Sequence, residues 1–249
     1  MIQINDLETQ RFGIRCARLV DYEGDIRDAL SEARRLKIQF LSARVPATFL
    51  SVVNDLESNG FRLKDTLVYF TARLNFKQPS FGHEFRTLNE AAIDRIVSSE
   101  DKSRLKSSVA EVADQAFKGY LGHYHSDSQI PEGLADDVYI DWASRTVELS
   151  SDYDPVFVEQ RNGQVTGFLS LNGAANETSE IVLNAVRPAA QGNGTYGRLL
   201  RTAMKYSESS GAAAIEVSTQ INNYGVQRVW SRHGFLHTRS AYTLHLWLT

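Results

Sequence analysis

Hydrophobic and polar positions recur with two different periods along the first third of the chain, and each period predicts its own kind of element. Three segments alternate with a period of two, which predicts strands: residues 12–20, 37–45 and 61–76. Two segments place apolar residues at helical spacing, which predicts helices: residues 25–35 and 47–60. Gly60 stands at the end of the second helix, where a left-handed glycine commonly closes a helix. The first third is therefore expected to alternate strands with helices.

The middle of the chain begins with residues 77–88, whose proline and glycine predict a linker. A second part is expected to start near His83 with a short strand and to continue as a helix from about Asn89 to Phe117. Residues 118–137 are rich in glycine, serine, aspartate and aromatic residues and are predicted to form a long loop. Loops of this length inside a domain are more often functional or mobile than idle. A helix near 136–147 follows.

The C-terminal part is predicted to contain mostly strands, with two helices among them. Asn162-Gly163 separates two β-rich runs, which is a strong hairpin signal. The elements expected after this hairpin are, in order, a strand at 179–186, a glycine-rich turn, a helix that Gly211 ends, a strand at 212–220, a helix that Asn222 or Asn223 caps and Gly234 ends, and one bent strand or two strands to the C-terminus.

Two segments of the chain resemble each other. Residues 56–74 and 230–248 share a helix end, a Gly-Phe pair and an alternating tail at the same spacing. Either every helix-to-strand junction has this form, or the N-terminal part is a half copy of the C-terminal fold with no ligand of its own. The second interpretation predicts a partial domain at residues 1–78 and a complete domain at residues 79–249.

Composition excludes several classes of partner. The chain has 249 residues, 42% of them hydrophobic, and a net charge of −3 with interspersed signs, which makes nucleic acid an improbable partner. A single cysteine, Cys16, rules out an intramolecular disulfide framework and fits a reducing, cytoplasmic location. We expect neither export by a signal peptide nor a membrane span, because residues 1–20 have no basic segment followed by an apolar one and no apolar stretch approaches the length of a span. We expect a globular cytoplasmic protein of one or two domains.

The turn between the strand at 179–186 and the helix after it has the sequence Gln191-Gly192-Asn193-Gly194-Thr195-Tyr196. A strand that enters a helix through such a turn leaves several backbone N–H groups without intrahelical partners. The helix dipole adds to their positive potential, so they favour a phosphate or pyrophosphate. A glycine-rich turn without a ligand is the alternative interpretation, and the missing G-K-[ST] excludes a P-loop.

The order strand, V-x-P-x-x-Q-G-x-G, helix, strand, asparagine and Gly-Phe resembles the GNAT superfamily of acyl-CoA-dependent N-acetyltransferases over about residues 83–249. The matching positions are Val186, Pro188, Gln191, Gly192, Gly194, Asn223, Gly234 and Phe235. This resemblance implies an α/β (α+β) GNAT fold: a mixed, mostly antiparallel sheet with two splayed parallel strands, here preceded by a smaller GNAT-like half-domain. Over nearly the whole chain, the sequence also resembles WecD-type dTDP-fucosamine acetyltransferases.

The resemblance implies acetyl-CoA as co-substrate and assigns its binding residues. The expected cofactor-binding residues are Asn184, Ala185, Val186, Gln191, Gly192, Asn193, Gly194, Thr195, Tyr196 and Asn223. Backbone N–H groups of the first three would bind the pantetheine arm and the acetyl carbonyl. Tyr196 departs from the family pattern, which usually has glycine or alanine there, and would narrow the site or place a hydroxyl in it.

A second departure concerns the group that assists the leaving thiolate. The family usually has a tyrosine four residues before the Gly-Phe glycine, whereas this chain has Trp230. An indole N–H donates a hydrogen bond but does not transfer its proton. Trp230 is therefore expected to position the sulfur, and Tyr224 and Tyr242 are the other candidate catalytic residues.

Residues His123, His125 and Asp127 in the long loop are the candidate substrate-binding group, either as contacts to substrate hydroxyls or as a base. The H-x-H pair also suggests a metal, but no further ligand cluster accompanies it, so none is expected. The predicted function is acetyl transfer to the amine of a nucleotide-linked 4-amino-4,6-dideoxyhexose, with a homodimer possible by resemblance. The alternatives are acetylation of another small amine and a non-catalytic acyl-CoA-binding module.

Overall fold

The computed structural model describes residues 1–20, 25–74, 92–96 and 98–248. Strands and helices alternate along these residues, as the period of the hydrophobic pattern predicts. Their bounds are β1 (Ile2–Ile4), α1 (Asp6–Phe12), β2 (Cys16–Leu19), α2 (Ile26–Arg35), β3 (Phe40–Pro46), α3 (Leu50–Ser58), β4 (Arg62–Arg73), β5 (Ala92–Ile96), α4 (Ser99–Phe117), α5 (Glu132–Glu148), β6 (Val156–Arg161), β7 (Gln164–Asn172), β8 (Thr178–Val186), α6 (Thr195–Ser209), β9 (Ala214–Gln220), α7 (Tyr224–Arg232) and β10 (Leu236–Trp247).

All these strands belong to one sheet, in the order β1-β2-β3-β10-β4-β9-β8-β7-β6-β5. Two neighbouring pairs, β2–β3 and β8–β9, are parallel, and the other neighbours are antiparallel. The predicted mixed, mostly antiparallel sheet is therefore confirmed. Each parallel pair is joined by a helix, as parallel strands require.

The parallel strands β8 and β9 separate along their length. They pair only from Thr178–Ala214 to Ile181–Val217. Beyond these residues β8 continues to Val186 on its other neighbour, β7, while β9 continues to Gln220 beside β4. The splay that the sequence resemblance implied is present, and it leaves an opening between the two strands.

The N-terminal and C-terminal parts interlock through their last strands. β10 lies between β3 and β4, and β4 lies between β10 and β9. The two similar segments of the sequence thus form equivalent helix-to-strand junctions, with Gly60 at φ +93° and Gly234 at φ +83°, and their strands pair with each other. The resemblance between these segments therefore corresponds to a structural equivalence.

Helices cover both faces of the sheet in the C-terminal part. Phe168 and Leu169 are adjacent in β7, so their side chains point to opposite faces. Phe168 packs in a core cluster with α4 and α5, and Leu169 packs in another with α6 and Trp230. A third apolar cluster joins α2 and α3 to β3 and β10. The strands that carry the opening are thus held between packed layers.

Most local predictions are confirmed, and two are wrong. Asn162 and Gly163 both have positive φ, +50° and +76°, as the predicted hairpin turn requires. Residues 92–96 form a strand paired with β6, where the sequence predicted a helix. Phe12 ends helix α1, where a strand was predicted. In both places a local helix boundary was overlooked: Ser98 caps the start of α4, and Gly13, with φ +66°, closes α1.

The predicted linker at 77–88, the strand near His83 and the boundary between residues 78 and 79 lie outside the described residues. The division into two domains therefore stays a prediction. Among the helices of the described ranges, none combines the length and apolar character that a membrane crossing needs.

Candidate active site

A cavity of about 650 Å³ lies between the splayed strands and the helices that follow them. Its walls come from the end of β8, the turn before α6, the start of α7 and the chain after α4. Seven of the ten predicted cofactor residues line it: Asn184, Ala185, Val186, Gln191, Gly192, Tyr196 and Asn223. Within the described ranges, all its lining residues lie between 116 and 229, so the N-terminal part contributes none.

The glycine-rich turn forms one end of this cavity. Gly192 and Gly194 both adopt left-handed backbone conformations, with φ of +77° and +75°, which explains why glycine occupies both positions. The first backbone hydrogen bond of α6 runs from Arg198 N to Gly194 O at 3.1 Å. The N–H groups before it are available to a ligand, and the helix dipole makes this end attractive to an anion.

A buried carboxylate fixes the start of α6. Glu159 of β6 is fully buried and accepts hydrogen bonds from Thr195 Oγ1 (2.9 Å) and from Arg198 Nε and Nη2 (2.7 and 2.8 Å). Burial alone would raise the pKa of Glu159, but these hydrogen bonds outweigh it and lower that pKa. Arg198 also donates to Asn193 O (3.0 Å). The Thr195 side chain therefore holds the helix, and only its backbone N–H remains for a ligand.

Asn223 lines the cavity at the start of α7 and caps that helix. Its side chain caps α7 by accepting from Val226 N (3.5 Å) and donates to Thr219 Oγ1 (3.1 Å). The cap explains why asparagine suits this position. Its predicted contact with the pantetheine arm stays a prediction.

Two phenols line the cavity, and sequence reasoning singled out only Tyr196. Tyr120, just after α4, donates its hydroxyl proton to Gln220 Oε1 at the end of β9. Gln220 Nε2 in turn donates to Asp65 Oδ2 (3.3 Å). Burial raises the pKa of Tyr120, so this phenol remains protonated. The aromatic composition of the loop was the signal that could have identified it.

The two departures from the family pattern contact each other. Trp230 is 1% exposed, packs against Phe70, and donates its indole N–H to Tyr196 Oη at 2.6 Å. The Trp230 side chain lies in the core beside the cavity and does not line it. Sequence reasoning placed this indole at the sulfur of the thioester, whereas the structure directs it to Tyr196.

The structure does not bring the other two candidate catalytic residues to the cavity. Tyr224 is 63% exposed at the start of α7 and is not among the lining residues. Tyr242 packs against the apolar cluster of α2, α3 and β3, in the N-terminal part. The described geometry supplies no support for a catalytic role of either tyrosine.

His123 and Asp127 are joined by a residue that the sequence did not reveal. His245 of β10 lies between them, with Nδ1 2.7 Å from Asp127 Oδ2 and Nε2 2.9 Å from His123 Nδ1. Asp127 is 1% exposed and also accepts from Trp247 Nε1 (3.1 Å). Lys64 Nζ lies 3.4 Å from the same carboxylate oxygen. No local signal in a strand-like C-terminus marks His245 as part of this group.

The carboxylate of Asp127 fixes one proton of His245. Burial opposes ionisation of Asp127, but hydrogen bonds from His245 and Trp247 lower its pKa, so it is a carboxylate. A carboxylate only accepts, so His245 donates from Nδ1 to Asp127. A single proton lies between His245 Nε2 and His123 Nδ1. Burial and the charges of its neighbours lower the pKa of His123 well below the usual value, which keeps it neutral.

His125 belongs to a separate contact. Its Nε2 lies 2.9 Å from Asp136 Oδ1 of α5, and its Nδ1 is buried without a partner. The two histidines of the H-x-H pair thus contact different residues and do not converge on one point.

Residues 116–235 match the model of the acetyltransferase (GNAT) family. A similar curated protein is the spore coat polysaccharide biosynthesis protein SpsD of Bacillus subtilis (strain 168), 24% identical over 140 residues that cover 56% of this chain and 46% of that protein. The chain thus spans about half the length of this relative.

Several solved structures share the fold. The glucosamine N-acetyltransferase region of a fungal multi-domain GH3 β-N-acetylglucosaminidase has a TM-score of 0.65 at 16% identity, covering 98% of this chain and 31% of that chain. A GCN5-related N-acetyltransferase from Sphaerobacter thermophilus has a TM-score of 0.63 at 13% identity, covering 99% and 76%. A tandem GNAT protein from the clavulanic acid biosynthesis pathway has a TM-score of 0.60 at 14% identity, covering 93% and 75%. These similarities confirm the fold.

Proposed function

We propose that the chain, whose residues 116–235 match the acetyltransferase (GNAT) family model, transfers an acetyl group from acetyl-CoA to the amine of a nucleotide-linked amino sugar. The acceptor we propose is a 4-amino-4,6-dideoxyhexose. The amine attacks the thioester directly, without an acyl-enzyme intermediate.

One observation carries the proposal: a single cavity joins the anion-binding turn to the splayed strands. Gly192 and the start of α6 would hold the pyrophosphate of CoA, and the opening beside Asn184 to Val186 would admit the thioester. Acetyl-CoA carries its pyrophosphate and its acyl group at opposite ends of the pantetheine arm, so it could contact both of these features at once.

In the proposed reaction, the nitrogen lone pair forms a bond to the carbonyl carbon, and the carbonyl oxygen becomes negative. Among Asn184, Ala185 and Val186, the backbone N–H groups that point away from β7 would stabilise that oxygen, since β9 no longer pairs with this stretch. A preorganised donor of this kind contributes about 3 kcal/mol in the transition state. Collapse then breaks the carbon–sulfur bond, and the nitrogen loses a proton.

The sugar acceptor is supported by the name of SpsD, which assigns that relative to polysaccharide biosynthesis, and by the resemblance to WecD-type enzymes. Polar groups near Tyr120 suit a hydroxylated substrate. Asp65 and Thr243 face each other across β4 and β10, and each has one buried side-chain oxygen that finds no partner among the described residues. His123 would contact the acceptor through Nε2, and Asp127 would act on it through His245. His125, which contacts Asp136, is the third residue of the proposed substrate-binding group.

The test combines binding with turnover. Calorimetry should show acetyl-CoA binding, and a thiol-release assay should show transfer to dTDP-4-amino-4,6-dideoxygalactose well above transfer to spermidine. Turnover with spermidine alone would replace the sugar by another small amine. Absence of acetyl-CoA binding would refute the proposal as a whole.

A second candidate is a non-catalytic acyl-CoA-binding module. It is favoured by Trp230, which offers no phenol where the family usually has one. Acetyl-CoA binding without thiol release on a panel of amino sugars and polyamines would support this module and contradict the enzyme.

A further inference from the structure

The geometry points to Tyr196 as the residue that donates a hydrogen bond to the sulfur of the leaving thiolate, with Trp230 as the residue that positions it. This inference deepens the proposed acetyl transfer and rests on it. The inference explains both departures from the family sequence together. Tyr196 of α6 supplies the phenol, and Trp230 of α7, where the family usually has a tyrosine, holds that phenol in place.

The direction of the hydrogen bond between these residues is fixed by chemistry. An indole nitrogen carries a proton and no lone pair, so Trp230 Nε1 only donates. Tyr196 Oη is therefore the acceptor in the 2.6 Å contact. The phenol keeps its own proton for another acceptor, and within the described ranges no hydrogen bond uses that proton.

A comparison with Tyr120 shows what is distinctive about Tyr196. Both phenols line the cavity, but the proton of Tyr120 is committed to Gln220. Of these two phenols, Tyr196 is the one whose proton has no acceptor among the described residues. Its place in the first turn of α6 puts it between the anion-binding turn and the start of α7.

The phenol is held in place by the core. Trp230 is fully enclosed, with its ring 5.4 Å from that of Phe70, and the Tyr196 ring packs on the same apolar cluster. A rigid indole that donates to the phenol oxygen restricts where the phenol proton points. Donors fixed before the reaction stabilise a developing charge without reorganisation.

The chemistry suits a hydrogen bond more than a full proton transfer. Burial raises the pKa of Tyr196, whereas a thiol such as that of CoA ionises near pH 8.5, so the proton remains on the phenol oxygen. As the carbon–sulfur bond breaks, its electron pair moves to sulfur, and the Tyr196 O–H donates to that sulfur. The thiolate then takes a proton from water. The indole bond to Oη polarises the phenol and strengthens it as a donor.

The experiment measures the thiol pKa of bound CoA, which needs no acceptor substrate. CoA is bound to the protein, and the ultraviolet absorbance of its thiolate is followed against pH. Tyr196→Phe removes the hydroxyl and keeps the ring, and Tyr206→Phe on the same helix is the matched control, because its hydroxyl donates to Asp152 O outside the cavity. We expect the thiol pKa to rise by about one unit in Tyr196→Phe, a tenfold change in the ionisation equilibrium, and to stay unchanged in Tyr206→Phe.

Further variants separate positioning from packing. Trp230→Phe should raise the thiol pKa by less than Tyr196→Phe does, and the double variant should equal Tyr196→Phe alone. Replacement of Tyr196 by 3-fluorotyrosine preserves its size and strengthens the phenol as a donor, so the bound thiol pKa should fall below the wild-type value. This variant keeps the test open if Tyr196→Phe does not fold.

The outcomes distinguish the inference from the proposed function. If wild-type protein does not bind CoA, the proposed function fails, and the inference fails with it. If CoA binds and its thiol pKa is the same in wild type, Tyr196→Phe and the fluorotyrosine variant, the inference is overturned while the proposed function stands.

Discussion

The molecule contains two parallel strand–helix–strand units, and they treat the N-terminus of the helix in opposite ways. In the N-terminal unit, β2 pairs with β3 along its whole length, and the Asp25 carboxylate caps α2 by accepting from Arg27 N at 2.9 Å. In the C-terminal unit, β8 and β9 separate after Ile181, and α6 begins at Gly194 with no side-chain cap.

This difference shows how the same strand–helix–strand unit can either support the fold or leave a cavity for a ligand. In the first unit a side-chain carboxylate supplies the negative charge that the helix N-terminus favours, and the strands leave no gap. The second unit omits both, so its backbone N–H groups and its opening are left for a ligand. The following predictions test this contrast, from the largest expected effect to the smallest.

The first prediction concerns the interlock of the two parts. Residues 92–248 expressed alone should lose cooperative unfolding, because β10 would lack both of its neighbours and β9 would lack β4. Thermal unfolding followed by circular dichroism checks this. A cooperatively folded fragment that binds acetyl-CoA would show that the C-terminal unit needs no support from the first.

Gly192→Val should abolish acetyl-CoA binding. A side chain at this position projects into the cavity, and the left-handed backbone costs a non-glycine residue about 1–2 kcal/mol. Gly211→Val is the matched control, because Gly211 has φ +99° and an equally open surrounding but lies after α6, away from the cavity. Calorimetry on both folded variants should separate loss of the site from backbone strain, and equal affinities would contradict the assignment.

Gly194→Asp would place a carboxylate at the N-cap position of α6, where the new Cβ would lie 2.9 Å from Arg198 Nη1 and the end of that side chain would shift. The new carboxylate would compete with a phosphate for the same N–H groups, so acetyl-CoA affinity should fall about a hundredfold, or ~2.7 kcal/mol. Gly194→Asn is the neutral control of equal size and should weaken binding much less. The same loss in both variants would mean that space, not charge, decides binding at this turn.

His123→Gln tests the proposed substrate-binding group. Acetyl-CoA affinity should be unchanged, while the transfer rate to the proposed sugar falls about a hundredfold, the low end for a lost proton acceptor. The lowered pKa of His123 gives the sign of the pH dependence: the histidine is neutral, and active, above its pKa, so wild-type activity should be constant down to about pH 6.5 and decline only well below it. An acid limb that persists unchanged in His123→Gln would contradict this role.

The sequence was sufficient for features with a local cause. The left-handed glycines at 192 and 194 and the hairpin at Asn162-Gly163 follow from residues adjacent in the chain. The strand at 92–96 was misread because the helical pattern of α4 was extended across it. Ser98, which caps α4 by accepting from Asp101 N (3.0 Å), is the local signal that marks the true start of the helix.

Features that depend on distant pairing could not be predicted. His245 joins Asp127 only because β10 inserts between β3 and β4, which brings the C-terminus beside the long loop. The contact between Trp230 and Tyr196 is likewise invisible in the sequence, where each residue was a separate departure from a pattern. Sequence reasoning thus identified seven residues that line the cavity and misjudged what the Trp230 indole contacts.

The smallest effect should come from Asp25→Ala, which removes the cap of the first unit. If α2 is only a support, acetyl-CoA affinity should be unchanged within twofold, and only stability should fall. The hydrogen bonds from Arg27 lower the pKa of Asp25 to about 2, so its stabilisation is present above the pKa of an unfolded aspartate, about 3.9, and is lost as the pH falls through 2. The difference in melting temperature between wild type and Asp25→Ala should therefore be constant from pH 7 to pH 5 and shrink below pH 4. A difference that does not change with pH would show that the carboxylate charge is not what stabilises α2, and a loss of acetyl-CoA affinity would show that the first unit takes part in the site.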